Sequence, residues 1–229
     1  MSWLGPVLDF LYPEVCVVCA ADAGDVDPFF CSLCLAEVWR PGLRYGECTD
    51  IPYVTSLGFL GPYRHAVKTA VHEVKFHCRR TLARHLGWML ARRLPAWATP
   101  PEVLVPVPLS WWARNRRGFN QAEEIARGIA EEWGMPVRAE VLRKVRSGPP
   151  QSSLPEEGRF MNVHGAFEVV AADMIRGRRV GLVDDVTTTG CTLAAAAKLL
   201  RRAGARAVVA LVIGRTERRR QAGGSGLEA

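Results

Sequence analysis

Two adjacent carboxylates followed by a run of threonines form the segment with the clearest chemical content. Asp184 and Asp185 follow a short apolar run, and the chain continues as Val186, Thr187, Thr188, Thr189, Gly190, Cys191 and Thr192. Backbone N–H groups and hydroxyls at the start of a helix can cradle a phosphate, and the helix dipole favours its negative charge. The two carboxylates can accept hydrogen bonds from a sugar diol. The segment therefore predicts a phosphosugar site.

A nucleotide site of the Walker type and a simple helix cap both fit this segment less well. A Walker-type site needs the pattern G-x-x-x-x-G-K-[ST], which the sequence lacks, and two acids before the loop would repel a nucleoside triphosphate. Capping of a helix after a core strand needs only one Asp or Thr. Two acids and four threonines exceed that need, so ligand binding is the preferred interpretation.

Basic residues in three further segments could contact additional phosphate groups. Arginine forks suit bidentate contacts with a diphosphate, and the loop after Pro108 is rich in them. Each segment also has a plainer interpretation, as a basic surface turn, an exposed helix lysine or an exposed linker. The polar and basic residues singled out for pyrophosphate binding or for a closing loop are Lys75, Ser110, Arg114, Arg116, Arg117, Lys144 and Arg159.

Four cysteines near the N-terminus have the spacing of a structural metal site. Cys16 and Cys19 form one C-x-x-C pair, and Cys31 and Cys34 form a second pair after an eleven-residue spacer. Four thiolates in two pairs suit tetrahedral Zn²⁺ and leave no position for a catalytic water. An iron–sulfur cluster and free thiols are the alternatives. Cys48 has no evident role.

Apolar periodicity gives the elements that must position these residues. It predicts strands over residues 53–59, 102–108, 137–142, 179–183 and 206–213, and helices over residues 64–94, 121–133 and 192–203, the first with a break near residues 77–80. Asn120 and Glu123 resemble a capping box, and Gly134 a helix stop. Residues 143–162 read as a long loop. The alternation predicts an α/β fold with a parallel sheet flanked by helices, which places the acids at the carboxyl ends of the strands.

Length and composition limit the class of protein. A chain of 229 residues with 48% hydrophobic content can bury one main core and a small appendage. It has no apolar run long enough for a transmembrane segment and no recognisable signal peptide, so with paired cysteines it is expected in the reducing cytoplasm. The net charge of +7 suits a phosphate-bearing partner, either a phosphosugar or a nucleic acid.

Most of the chain resembles the ComF family, which is linked to competence and natural transformation. The acidic and threonine-rich segment is similar to the 5-phosphoribosyl 1-pyrophosphate (PRPP) signature of type I phosphoribosyltransferases. Further similar segments are FLGPYR at 59–64, VKF at 74–76, VPVP at 105–108, RGFNQAE at 117–123 and GAF at 165–167. A cysteine-rich zinc module before the transferase-like domain is also a feature of that family.

The resemblance implies a zinc-binding module at 1–50, a type I phosphoribosyltransferase-like domain at 51–217 and a disordered basic tail at 218–229. It implies binding of PRPP with Mg²⁺, with Asp184 and Asp185 as catalytic residues and 186–192 as the 5′-phosphate loop. The chain is then a phosphoribosyltransferase with an unidentified acceptor, or a PRPP-dependent protein that handles single-stranded DNA with the competence machinery. A nucleotide-salvage transferase acting on a free nucleobase is the alternative. Oligomeric state is not readable from the sequence.

Overall fold

The computed structural model describes residues 15–42, 44–94, 100–145 and 166–216. The helices in these ranges are α1 (Ser32–Val38), α2 (His65–Phe76), α3 (Arg80–Arg93), α4 (Trp111–Arg117), α5 (Gln121–Trp133) and α6 (Cys191–Arg202). The strands are β1 (Tyr45–Glu47), β2 (Ser56–Pro62), β3 (Val103–Pro106), β4 (Leu142–Lys144), β5 (Phe167–Val169), β6 (Arg179–Thr187) and β7 (Ala207–Arg215).

Five strands form the main sheet in the order β1, β2, β7, β6, β3. β2, β7, β6 and β3 are parallel, and β1 pairs with β2 in the antiparallel direction at one edge. β6 and β7 are central and have long buried apolar stretches, as expected of strands covered on both faces. This arrangement confirms the predicted α/β class and places the carboxyl end of β6 in the middle of the sheet.

Alternate residues of the central strands pack into two separate cores. In β7, Val209, Leu211 and Ile213 face the core that α2, α3 and α5 cover. The intervening residues Val208 and Ala210 face the core that α6 covers, together with residues around β4 and β5. Because side chains alternate along a strand, one apolar run supplies both faces.

The helical stretch between residues 64 and 94 divides as predicted. α2 buries five residues on one face, among them Val67, Val71 and Val74, and it ends at Phe76. The backbone at Cys78 has a φ of 55°, in the left-handed region that ends a helix and turns the chain. α3 then begins at Arg80.

α3 and α5 approach each other more closely than side chains would normally allow. A Cβ atom at Gly87 of α3 would lie 2.1 Å from the carbonyl oxygen of Ile125, and one at Gly128 of α5 would lie 1.9 Å from that of Arg84. Backbone therefore packs directly on backbone at this crossing. The contact fixes α5, whose first residue, Gln121, contacts Asp185 near the carboxyl end of β6.

Two sequence predictions for the middle of the chain are wrong. Residues 137–142 do not form a strand of the main sheet: Val137 makes a single bridge to Leu104, and the chain then turns away at residues 139–140. The predicted loop does not begin at residue 143, because Arg143 and Lys144 belong to β4, which pairs antiparallel with β5. The apolar Val141 and Leu142 fill the α6-side core, which accounts for their hydrophobic character.

Several short elements, α1, α4, β1 and β5, have no counterpart among the sequence predictions. The segment after Pro108, predicted as a loop, contains helix α4, which has no buried residue and hence no apolar pattern to detect. Its N-terminus is capped by Ser110, whose side chain accepts a hydrogen bond from Ala113 N at 3.3 Å. α1 and β1 are seven and three residues long, too short to show a period. The helix predicted after Asn120 is present as α5, with Gly134 at its end.

Candidate functional site

The threonine-rich loop joins β6 to α6 at the centre of the sheet edge. β6 continues through Thr187, and α6 starts at Cys191 after Gly190, whose φ of 79° lies in the left-handed region. A side chain there would also be 2.7 Å from Ile51 Cγ1, so glycine is required for both reasons. The Thr187 hydroxyl is buried and has no hydrogen-bond partner among the described residues. It is a polar group of the loop that the described residues leave unpaired.

The two acids occupy different environments. Asp185 is 6% exposed and lies between two donors: Lys75 Nζ is 2.8 Å from Oδ1, and Gln121 Nε2 is 2.8 Å from Oδ2. Burial alone would lower the pKa of Lys75, but the Asp185 carboxylate raises it above its usual range. Asp185 is therefore held by α2 and α5, and Lys75 is engaged in this pair.

Asp184 is the acid that remains accessible to a ligand. Its Oδ1 accepts a hydrogen bond from Asp185 N at 2.8 Å, and its side chain is partly exposed. Burial, followed by repulsion from Asp185, raises the pKa of Asp184 to about 7. The charge of Lys75 and of Lys144 opposes this shift without cancelling it. A carboxyl group that titrates near neutral pH at a strand end can exchange its proton for a metal ion or a hydroxyl donor.

Two further basic residues lie near the acid pair. Burial lowers the pKa of Arg117, at the end of α4, and the charge of Asp185 opposes that shift. Burial likewise lowers the pKa of Lys144, in β4, against the charge of Asp184. The fold thus brings Lys75, Arg117 and Lys144 to the end of β6 from three separate segments.

The other residues that were predicted to contact phosphate groups do not join this cluster. Arg114 and Arg116 are exposed on α4, where the Arg116 guanidinium lies 5.9 Å from the centre of the Trp112 ring. Ser110 caps α4, and Arg159 lies outside the described residues. Gln121 was not predicted, although it lies in the RGFNQAE segment and directly follows the capping residue Asn120. Its position at the first residue of a predicted helix, within a segment that resembles the family, was the available signal.

The four paired cysteines converge as their spacing predicted. Their sulfur atoms all lie within 4.8 Å of one another, so the group could hold a metal ion. Burial opposes ionisation of Cys16, but backbone hydrogen bonds, first among them that of Cys31, lower its pKa to about 6. Burial and neighbouring thiols raise the pKa of Cys34. Cys48 lies elsewhere and donates to Asp50 Oδ1 at 3.4 Å.

The segment that carries the cysteines packs against α3. Asp27 accepts from the backbone of Phe29 and Phe30, and its Oδ2 is 2.7 Å from His85 Nε2. Phe30 and Val17 belong to the same core as the apolar face of α3. No helix in the described part of the chain combines the length and hydropathy of a membrane span.

Comparison with known proteins agrees with this architecture. Residues 114–222 match the family model for the phosphoribosyl transferase domain. Competence protein F of Haemophilus influenzae is 31% identical over 183 residues, covering 76% of this chain and 80% of that protein. DNA utilization protein YhgH of Escherichia coli K12 is 31% identical over 210 residues, covering 88% of this chain and 90% of that protein.

A third relative shares only part of the chain. Adenine phosphoribosyltransferase of Mycobacterium avium is 59% identical over 101 residues, which are 43% of this chain and 52% of that protein. The two longer similarities each cover more than three quarters of this chain and at least 80% of the relative. The chain therefore belongs to the ComF family of DNA-uptake proteins that contain a phosphoribosyl transferase domain.

Proposed function

We propose that this protein binds PRPP together with Mg²⁺ at the carboxyl end of β6. The observation that carries the proposal is the combination of two adjacent acids near the carboxyl end of β6, one buried and one partly exposed, with a threonine-rich loop that leads into α6. The unpartnered hydroxyl of Thr187 and the N–H groups at the start of α6 suit the 5′-phosphate. Asp184 offers an accessible carboxylate to the ribose diol or to Mg²⁺, which prefers oxygen ligands.

Positive charge around the acids suits the pyrophosphate group. Arg117 and Lys144 approach the site from two different segments, and burial lowers the pKa of each, so each gains by pairing with an anion. Ser110, Arg114 and Arg116 precede Arg117 in the same segment, outside the cluster around the acids, and are secondary candidates for phosphate contacts. Lys75 acts through Asp185, which it neutralises.

Isothermal titration calorimetry with Mg-PRPP tests this proposal. We expect wild-type protein to bind, and Thr187→Val and the double variant Asp184→Ala/Asp185→Ala to lose binding by about tenfold or more, as the loss of one charge-assisted hydrogen bond would give. Asp173→Ala removes an exposed acid in the segment that precedes the amino end of β6, whereas the acid pair lies near its carboxyl end. It is the matched control and should bind like wild type. Absence of heat with wild-type protein, or unchanged binding by both site variants, would refute the proposal.

Phosphoribosyl transfer is the catalytic form of the same proposal. Departure of pyrophosphate builds positive charge at C1′, and the site would act by positioning and electrostatic stabilisation. Incubation with PRPP and a panel of nucleobases, amines and DNA, with pyrophosphate release as the readout, distinguishes a transferase from a PRPP-dependent binding protein. The partial similarity to adenine phosphoribosyltransferase makes adenine the first nucleobase to test. Turnover of a free base would favour nucleotide salvage.

Single-stranded DNA is the second proposed ligand, and α4 is the observation that favours it. Trp111 and Trp112 are 73% and 63% exposed on a helix that also carries Arg114 and Arg116. Exposed aromatic rings beside arginines can stack on bases while the guanidinium groups contact phosphates. The names of the relatives, competence protein F and DNA utilization protein, agree with a role in DNA handling.

Fluorescence anisotropy with a labelled oligonucleotide tests the role of α4. We expect Trp111→Ala/Trp112→Ala to weaken binding of single-stranded DNA about tenfold or more, since stacking contributes about 1–3 kcal/mol per base. Leu33→Ala removes an apolar side chain that is 82% exposed on α1 and should leave binding unchanged. Equal affinity of the tryptophan variant and wild type would exclude α4 as the binding surface.

We also propose that the four cysteines hold one structural Zn²⁺. Sulfur atoms bound to Zn²⁺ at about 2.3 Å in a tetrahedron lie about 3.8 Å apart, and Cys19 Sγ and Cys31 Sγ are 3.7 Å apart. Elemental analysis of freshly purified protein should find one equivalent of zinc and no iron. Cys19→Ser and Cys34→Ser should lower the zinc content, whereas Cys191→Ser should not.

A further inference from the structure

We propose that His72, Glu73 and His77 form a second metal site, for a divalent transition ion such as Zn²⁺, at the C-terminal end of α2. Potential ligand atoms of these three side chains all lie within 4.8 Å of one another. Two imidazoles and one carboxylate form a donor set suited to Zn²⁺, Co²⁺, Ni²⁺ or Cu²⁺. The site shares no residue with the cysteine cluster or with the acid pair.

The backbone brings the third ligand into place. His77 follows the last residue of α2, and its N–H donates to Glu73 O at 3.0 Å, so it lies beside the last turn of the helix. The chain then turns at Cys78, whose φ is 55°. His77 Nδ1 is then 2.9 Å from Glu73 Oε1, and the rings of His72 and His77 are 6.0 Å apart at 73° to each other. A left-handed conformation at a residue other than glycine is uncommon and often marks a functional site.

Arg79 completes the arrangement as an outer partner of the carboxylate. Its Nε lies 3.1 Å from Glu73 Oε2, the oxygen that does not contact His77. Carboxylates that bind metals are commonly oriented in this way by a second hydrogen bond. Both histidines are exposed, so an ion from solvent can reach them and replace the hydrogen bond between Glu73 Oε1 and His77 Nδ1.

The place of the cluster in the fold also favours a cation. The carbonyl groups at the end of a helix carry partial negative charge. The basic residue in the last turn of α2 is Lys75, and its amine is drawn to Asp185. A metal ion at His72 and His77 would supply positive charge to this helix end and tie the turn that follows it to the helix.

Titration of the zinc-loaded full chain with Zn²⁺ and with Co²⁺ tests the proposal. We expect calorimetry to show one further equivalent of Zn²⁺, and Co²⁺ to add weak visible bands without the strong sulfur-to-metal absorption of a thiolate site. His72→Ala and His77→Ala should each weaken binding about tenfold or more, and Arg79→Leu by about 10- to 100-fold. His65→Ala removes an exposed histidine at the other end of α2 and should have no effect.

A second measurement does not depend on any variant. In wild-type protein, Zn²⁺ should protect His72 and His77, but not His65, from modification by diethyl pyrocarbonate, as mapped by mass spectrometry. The proposal is overturned if no further equivalent of Zn²⁺ binds, if both histidine variants bind like wild type, or if the three histidines are protected equally. None of these results depends on whether PRPP binds.

Discussion

Asp184 links the chemistry of the site to pH. Burial and the adjacent Asp185 raise the pKa of Asp184 to about 7, so near pH 6 the group is mostly protonated and near pH 8 mostly ionised. Coordination of Mg²⁺ requires the ionised form, and hydrogen bonds from a diol are stronger to the ionised than to the protonated carboxyl group. Protonation in the free protein therefore competes with ligand binding.

This competition predicts the pH dependence of PRPP affinity. We expect the affinity of wild-type protein for Mg-PRPP to rise about tenfold between pH 6 and pH 8, because the ionised fraction of a group with this pKa rises about tenfold. Asp184→Asn should bind weakly and lose the part of the pH dependence that Asp184 contributes. Calorimetry at a series of pH values in buffers of different ionisation enthalpy measures both affinity and proton release. A wild-type profile that parallels the variant's would contradict the prediction.

The same group should lower the stability of the folded protein at neutral and alkaline pH. The pKa of Asp184 in the folded protein lies above its ordinary value of 3.8. Above about pH 4 the carboxyl group therefore ionises more readily in the unfolded chain, which lowers the free energy of unfolding. This loss of stability increases with pH and levels off above about pH 7. Asp184→Asn should therefore raise the free energy of unfolding by about 1–3 kcal/mol at pH 8 and change it little at pH 4. Denaturant titrations at the two pH values measure the difference. A less stable variant at pH 8 would contradict the assignment.

Gln121 fixes Asp185 from the side opposite Lys75. Gln121→Leu removes the donor to a buried carboxylate, and we expect it to lower the free energy of unfolding by about 1–3 kcal/mol and to weaken Mg-PRPP binding. Lys75 and Gln121 act on the same carboxylate. The double variant Lys75→Met/Gln121→Leu should therefore lose less free energy of unfolding than the sum of the losses in the two single variants. Strict additivity in urea titrations would show that the two contacts are independent.

At the scale of single residues, functional groups could be predicted from the sequence where they are neighbours in the chain. The acids, threonines and glycine of one loop could be assigned because they are consecutive in the chain. The contacts of Asp185 could not, since Lys75 and Gln121 lie far from it in sequence and only the fold joins them. The difference in burial between Asp184 and Asp185 also results from contacts between distant segments, so the sequence did not predict it.

Among the elements, long periodic segments were predictable and short ones were not. β6, β7, α5 and α6 each bury a continuous stretch or one face, and this burial produces a regular apolar pattern in the sequence. α4 buries nothing, so its seven residues carry no such pattern. Residues 137–142 have the apolar character of a strand because Val141 and Leu142 fill a core, although they do not extend the main sheet.

The contact between α3 and α5 gives a prediction for an element. Gly128→Ala would improve helix propensity by about 1 kcal/mol, yet its Cβ would lie 1.9 Å from the carbonyl oxygen of Arg84. We expect the clash to dominate and the free energy of unfolding to fall by about 2–4 kcal/mol, because backbone on both sides must move. Gly118→Ala meets no atom within 4 Å and should cost only the strain of its positive φ, about 1 kcal/mol. Equal losses of free energy of unfolding in Gly128→Ala and Gly118→Ala, measured by urea titration, would refute close packing of the two helices.

For the molecule as a whole, the cysteine segment and the sheet share one core. Val17 and Phe30 pack in the cluster that includes Leu82, Leu86 and Leu90 of α3. Asp27 contacts His85 of the same helix. Burial alone would raise the pKa of Asp27, but the hydrogen bond and the charge of His85 lower it below its ordinary value. α3 in turn holds α5 through the two glycines and through the ion pairs of Arg80 and Arg84 with the buried Glu124.

If the four cysteines hold Zn²⁺ as proposed, its loss should destabilise the whole chain. We expect a zinc chelator to lower the melting temperature by several degrees and to preserve a single transition, because the core around Phe30 is continuous with that under α3. Re-addition of Zn²⁺ should restore the original melting temperature. Cys34→Ser should melt near the chelated protein and respond little to chelator, whereas His72→Ala should behave like wild type. Differential scanning calorimetry makes the measurement. Two separate transitions, with only the smaller one sensitive to zinc, would show that the cysteine segment unfolds independently of the sheet.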